Sequence, residues 1–131
     1  METFYPHDQG RDVRVLIIED EKVSRKALAR LLADQGYTAE AVETAEEAVA
    51  VLAIGQRPEV ALVDLDLPGM SGSELVSYLI QKAPPIQTVL VTAACEERVA
   101  CLTEGTGIRY LRKPIDFKDL MRTLNDKAAS N

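Results

Sequence analysis

The chain has 131 residues, room for one compact domain that buries its own core without staples. Hydrophobic residues make up 47% and charged residues 27%, the balance of a globular chain and not of a disordered or fibrous one. Fifteen basic against 21 acidic residues leave a net charge of −6, with 5% aromatics and no Trp, which argues against a broad nucleic-acid-tracking surface.

The longest apolar run, Ala48–Ile54, falls far short of the ~20 residues of a bilayer-spanning helix. The opening METFYPHDQGRD offers no apolar stretch for a secretory signal, and residues 1–12 read as a disordered tail. Cys95 and Cys101 fit no metal spacing and read as half-buried residues of a reducing compartment. The single histidine, His7, gives no basis for a histidine metal cluster or a Ser-His-Asp triad.

The first apolar run, Val13–Ile18, is hydrophobic on both faces, as a central strand of a parallel sheet must be. Lys22–Gln35 follows with Val23, Ala27, Leu28, Leu31 and Leu32 on one helical stripe and Gly36 as a stop. A strand over Tyr37–Val42 leads to the capping-box pattern Thr44-Ala-Glu-Glu47, opening a helix that ends near Gly55. Glu59–Asp64 is the third strand, and Pro68-Gly69 suits a tight turn after it. Ser71-Gly-Ser-Glu74 caps a helix that must stop before Pro84-Pro85. Strand Ile86–Thr92, a short helix over Glu96–Leu102 and strand Ile108–Leu111 come next. Asp116 is an N-cap for a last helix with Phe117, Leu120, Met121 and Leu124 on its apolar side. Strand starts lie 22 to 27 residues apart, the length of a βα unit, so the expected fold is (βα)₅, an α/β doubly wound parallel sheet. The domain is bounded at 13–126, with 127–131 a polar tail or the start of a linker.

Ligands of such sheets bind beyond the carboxyl ends of the strands, so the residues standing there carry the functional information. The first strand ends in Glu19-Asp20-Glu21 and the third in Asp64, with Asp66 two residues on. The fourth ends in Thr92, and the fifth runs into Lys113-Pro114. Carboxylates gathered this closely repel one another, and either some protonate or a cation joins them. An all-oxygen, histidine-free donor set suits Mg²⁺.

These segments together resemble the receiver domain of bacterial two-component response regulators. The resemblance rests on Val15-Leu16-Ile17-Ile18-Glu19-Asp20-Glu21, Ala61-Leu62-Val63-Asp64-Leu65-Asp66-Leu67-Pro68-Gly69, Val89-Leu90-Val91-Thr92-Ala93 and Tyr110-Leu111-Arg112-Lys113-Pro114. It implies a flavodoxin-like strand order 2-1-3-4-5 and a phosphoryl group accepted on Asp64 from a phosphohistidine, on a histidine kinase or a histidine phosphotransfer domain. It further implies Mg²⁺, replaceable by Mn²⁺, held by Asp20, Asp64, Glu19 through water, and the backbone carbonyl of Asp66. On the same resemblance Thr92 and Lys113 would contact the phosphoryl oxygens, Tyr110 would be the switch aromatic, and the bond before Pro114 would be cis. By the same resemblance the domain would catalyse its own phosphorylation and slow dephosphorylation, as a cytoplasmic signalling component instead of a turnover enzyme. It would address a downstream effector that the sequence does not identify, bind neither nucleic acid nor membrane directly, and be able to pair as a homodimer through the Glu96–Leu102 helix, the fifth strand and the last helix. Lys22, Val23, Arg25, Lys26 and Ala27 form a docking face for the kinase or a solvated helix side.

Other readings fit less well. A flavodoxin binds phosphate in a hydroxyl-rich first loop, where this chain has three acids. No GxGxxG or GxxxxGK[ST] follows a strand. A haloacid-dehalogenase-like phosphatase also uses the first acid of a DxD as nucleophile, as in Asp64-Leu65-Asp66, but needs cap segments for which this chain is short. A Toprim domain needs a basic surface. A receiver-like interaction module without phosphorylation leaves the complete set of acids, Thr and Lys unexplained.

Overall fold

The computed structural model describes residues 13–55, 57–65, 72–81, 86–93 and 108–129. Among them the chain alternates strand and helix: β1 (Arg14–Ile18), α1 (Lys22–Asp34), β2 (Thr38–Val42), α2 (Ala45–Ala53), β3 (Val60–Asp64), α3 (Gly72–Ile80), β4 (Gln87–Thr92), β5 (Arg109–Arg112) and α4 (Phe117–Ala129). All strands are parallel, in the order β2-β1-β3-β4-β5. The doubly wound sheet expected from the sequence is therefore the fold.

Each strand starts one residue later than the apolar runs imply, because the leading residues sit at the ladder's edge. They still bond across it, as when Thr38 donates its N–H to the Val13 carbonyl (3.0 Å) and Gln87 to that of Glu59 (3.1 Å). Strand pleat sends alternate side chains to opposite faces and creates two cores. Leu16, Ile18, Ala61, Val63 and Leu90 meet Ala48, Leu52, Leu75 and Leu79 from α2 and α3. Val15, Ile17, Leu62, Val89 and Val91 meet Leu28, Leu32, Leu120 and Leu124 from α1 and α4. All five residues of β3 are buried, whereas the edge strand β5 buries only Leu111.

Helix ends follow local chemistry. Thr44 Oγ1 accepts the Glu47 N–H (3.0 Å), and the Glu47 carboxylate reaches back to the N–H of Glu43 (3.1 Å), so the expected capping box forms with its return bond shifted by one residue. Asp116 Oδ1 accepts from the Asp119 N–H (3.1 Å) and caps α4. Gly36 and Gly55 adopt φ of 94° and 90° just past α1 and α2, a conformation that disfavours any side chain.

The helix stripes are narrower than their composition suggests. Leu28 and Leu32 are buried on α1, but Val23 is 72% exposed and Ala27 is exposed too. Phe117 likewise stands 43% exposed on α4, where Leu120 and Leu124 supply the packing. Each outlier lies in the first two turns of its helix. The Pro68-Gly69 turn, the Ser71 cap, Pro84-Pro85, the Glu96–Leu102 helix, both cysteines and His7 lie outside the described residues. No helix among the described residues is long and apolar enough to cross a membrane.

Candidate functional site

Parallel register brings the strand ends together. Ile18 pairs with Val63, so Glu19 and Asp64 follow side by side at the carboxyl edge of β1 and β3. Thr92 closes β4 opposite Arg112, and Lys113 is the next residue along. The Lys113 N–H donates to the Thr92 carbonyl at 2.9 Å, which continues the ladder to the residue carrying the ammonium. The Lys113–Pro114 peptide is cis.

At this rim, Glu19, Asp20 and Asp64 each offer a carboxylate oxygen within 4.8 Å of the others. Glu19 and Asp64 are each only 3% exposed, while Asp20 faces solvent. Lys113 Nζ donates to Asp64 Oδ2 at 2.9 Å and lies 3.6 Å from Glu19 Oε1. The ammonium thus pairs with two of the three carboxylates, and the cluster keeps an excess of negative charge.

Burial, with that excess added to it, shows in proton affinity. Burial is the main force pushing the Glu19 carboxyl up from 4.5 to about 7; the bond from the Glu21 N–H opposes it and the neighbouring Asp64 adds to it. Burial pulls the Lys113 ammonium down, but Asp64 and Glu19 together outweigh it and leave Lys113 above its usual value. Protonation of Glu19 and capture of a hard cation are two ways to relieve the same repulsion, and the all-oxygen donor set fits Mg²⁺.

Glu21, the third acid in the run, takes no part in this cluster. Its carboxylate accepts the Ser24 N–H at 2.7 Å and caps α1, and that bond holds its carboxyl below the usual range. An acid three residues ahead of Ser24 at a helix start was the available signal. Arg25, expected only on the docking or solvated side of α1, turns its guanidinium back to the carbonyls of Glu19 and Asp20, a contact that no spacing in the sequence announces.

Thr92 is fully buried at the end of β4, and Tyr110 is 38% exposed on β5. The Asp66 carbonyl lies outside the described residues. A cavity of about 270 Å³ opens between α1 and the loop after β5, bordered by Glu19, Lys113 and the apolar Leu28, Leu31 and Ile115.

The family model for the response regulator receiver domain matches residues 15–125. This chain belongs to that family. It is 33% identical over 117 residues to the probable transcriptional regulatory protein TcrX of Mycobacterium tuberculosis, across 88% of this chain and 49% of that protein. It is equally identical over 115 residues to the two-component response regulator PhoP of Pseudomonas aeruginosa, across 86% of this chain and 50% of that one. The receiver thus spans about half the length of the curated relatives it matches. Among solved structures, a CheY-like receiver domain from Methanospirillum hungatei superposes with a TM-score of 0.83 at 26% identity, covering 92% of this chain and 96% of its own. TrrA of Thermotoga maritima, in complex with Mg²⁺-BeF, gives 0.77 at 25% identity, over 88% and 98%. The receiver is accordingly a domain of two-component signalling.

Proposed function

We propose that this receiver accepts a phosphoryl group on Asp64 from a phosphohistidine of a histidine kinase or phosphotransfer domain, and that the modification remakes a protein-binding surface. The observation that carries the reading is the 2.9 Å contact of Lys113 with Asp64 beside two further carboxylates. A solvated loop acid has no reason to be buried against an ammonium at the end of the central strand.

In the reaction, an Asp64 carboxylate oxygen attacks phosphorus as the P–N bond breaks. The imidazole nitrogen leaves with the electron pair, and the product is an aspartyl phosphate. Such transfer depends on positioning and on neutralising charge at the equatorial oxygens. Lys113 moves from the Asp64 carboxylate to a phosphoryl oxygen and remains its cationic partner. Thr92 donates its hydroxyl to another oxygen. Glu19, Asp20, Asp64 and the Asp66 carbonyl hold Mg²⁺, or Mn²⁺ in its place. Bound there, the cation supplies the positive charge that Lys113 alone does not. The Mg²⁺-BeF complex of the related TrrA supports that choice of ion.

The exposed Val23 and Ala27 on α1, next to the cavity bordered by Glu19 and Lys113, form the approach for the donor domain. Tyr110 responds to movement of Thr92 and alters the face made by β5 and α4, the surface for an effector or a second receiver. Phosphorylation shifts an existing equilibrium between surfaces. The setting of this exchange is the cytoplasm, and slow self-catalysed hydrolysis of the aspartyl phosphate ends the signal.

Acetyl phosphate with Mg²⁺ tests this reading by intact mass. The parent chain gains one phosphoryl group, and neither Asp64→Asn nor an EDTA-treated sample gains any. Labelling of Asp64→Asn at the parent's rate, or continuous turnover of a phosphomonoester, refutes it.

A further inference from the structure

We infer that Arg25 is a positioning residue for the acidic cluster: it fixes the Glu19–Asp20 backbone so that both carboxylates are presented toward Asp64. The inference rests on the reading of that cluster as a cation site.

Three carboxylates within 4.8 Å repel one another, and a restrained backbone is what keeps their oxygens in one place. Glu19 is restrained through its N–H, which donates to the Val42 carbonyl (3.1 Å), and through its carboxylate, which accepts the Glu21 N–H (3.1 Å). Asp20 is exposed and follows the end of β1, where mutual repulsion can push it outward. The Arg25 side chain meets this need. Its Nη1 donates to the Glu19 carbonyl at 3.1 Å and to the Asp20 carbonyl at 3.3 Å. Helical side chains lean toward the N-terminus, so a residue in the second turn of α1 reaches the loop that precedes the helix. The anchor is firm, because Arg25 N–H donates to the Glu21 carbonyl (2.9 Å) and the helix behind it is pinned by Leu28 and Leu32. The two carbonyls are thereby drawn toward α1 while the carboxylates of the same residues converge on Asp64.

Charge and positioning predict opposite outcomes, which makes the inference testable. A guanidinium near the cluster repels a divalent cation, so charge alone predicts tighter metal binding once it is removed. Positioning predicts weaker binding, since losing a residue that orients metal ligands commonly costs about tenfold or more in affinity. The test is Mn²⁺ titration of the full chain at about pH 8 without a phosphodonor, with free Mn²⁺ read by electron paramagnetic resonance. Arg25→Met is expected to bind about tenfold more weakly, and Arg25→Lys, which keeps charge and donors, to recover most of the loss. Arg25→Gln, whose amide stops short of both carbonyls, repeats the test if the methionine variant does not fold. A purely structural role lowers urea stability in EDTA and leaves Mn²⁺ affinity unchanged. A folded Arg25→Met or Arg25→Gln chain that binds Mn²⁺ as tightly as the parent, or more tightly, overturns the inference. If instead Asp64→Asn leaves the parent's affinity intact, or the parent takes up no Mn²⁺, the cation-site reading itself fails and the role of Arg25 falls with it.

Discussion

Removing a charge from the acidic cluster should stabilise the metal-free receiver, and Glu19→Gln is the cleanest way to do it. Between pH 4.5 and about 7 the folded chain holds a proton on Glu19 that the unfolded chain has released. Raising pH through that window therefore draws stability out of the native state. Each tenfold change in proton affinity is worth about 1.4 kcal/mol, so the full cost of ionising Glu19 in place reaches about 3 kcal/mol at most. Gln carries no charge to desolvate, and its amide oxygen can still accept the Glu21 N–H that now bonds Glu19 Oε2. In EDTA, Glu19→Gln and the parent should unfold at nearly the same urea concentration at about pH 4.5. Their stabilities should then separate with rising pH, leaving the variant about 1–3 kcal/mol more stable at pH 8. Saturating Mg²⁺ should narrow or invert that gap, because a cation bound only by the folded state stabilises the parent by mass action and the variant has lost a ligand. The measurement is a set of urea melts across pH, with and without Mg²⁺. A variant no more stable than the parent at pH 8 in EDTA, or a gap independent of pH, would show that Glu19 is not strained by its surroundings.

Lys113→Met should act in the opposite direction. It strips the 2.9 Å partner from a carboxylate that is 3% exposed, at a cost of about 2 kcal/mol, below the 3–5 expected for a fully buried pair because the ammonium is a third exposed. Urea melts in EDTA near pH 8 read this, and no loss of stability refutes it. Thr44→Ala removes the Oγ1 that accepts the Glu47 N–H at 3.0 Å and should cost about 1 kcal/mol by the same melts, with an unchanged midpoint counting against the cap. Tyr110→Ala takes away a side chain that is 38% exposed and outside the acidic cluster, so acetyl phosphate should label it at the parent's rate. A large drop in labelling would place Tyr110 in the reaction instead of in its readout.

Most of the fold was legible because the strands signal it twice. Runs such as Val60-Ala61-Leu62-Val63 are apolar on both faces, and acids, a hydroxyl or a lysine stand where each of four strands ends. Once parallel register is assumed, Glu19, Asp64, Thr92 and Lys113 are bound to share a rim, and they do. Helix faces were less legible, since Val23 and Phe117 keep the period of a buried stripe yet stay exposed, which depends on how each helix is set against the sheet and not on period alone. The division of labour among Glu19, Asp20 and Glu21 was hidden too. Three consecutive acids look alike in sequence, and only the turn into α1 makes one a buried cluster member, one an exposed member and one a cap.

The strand that ends in Asp64 is the most enclosed in the sheet, and the edge strand beyond its neighbour keeps just one residue inside. A disturbance delivered to the stiff middle of such a lamina has little room to dissipate there. On the proposed phosphorylation of Asp64, the change is therefore expected to be written at the centre and read at the border that is loose enough to yield.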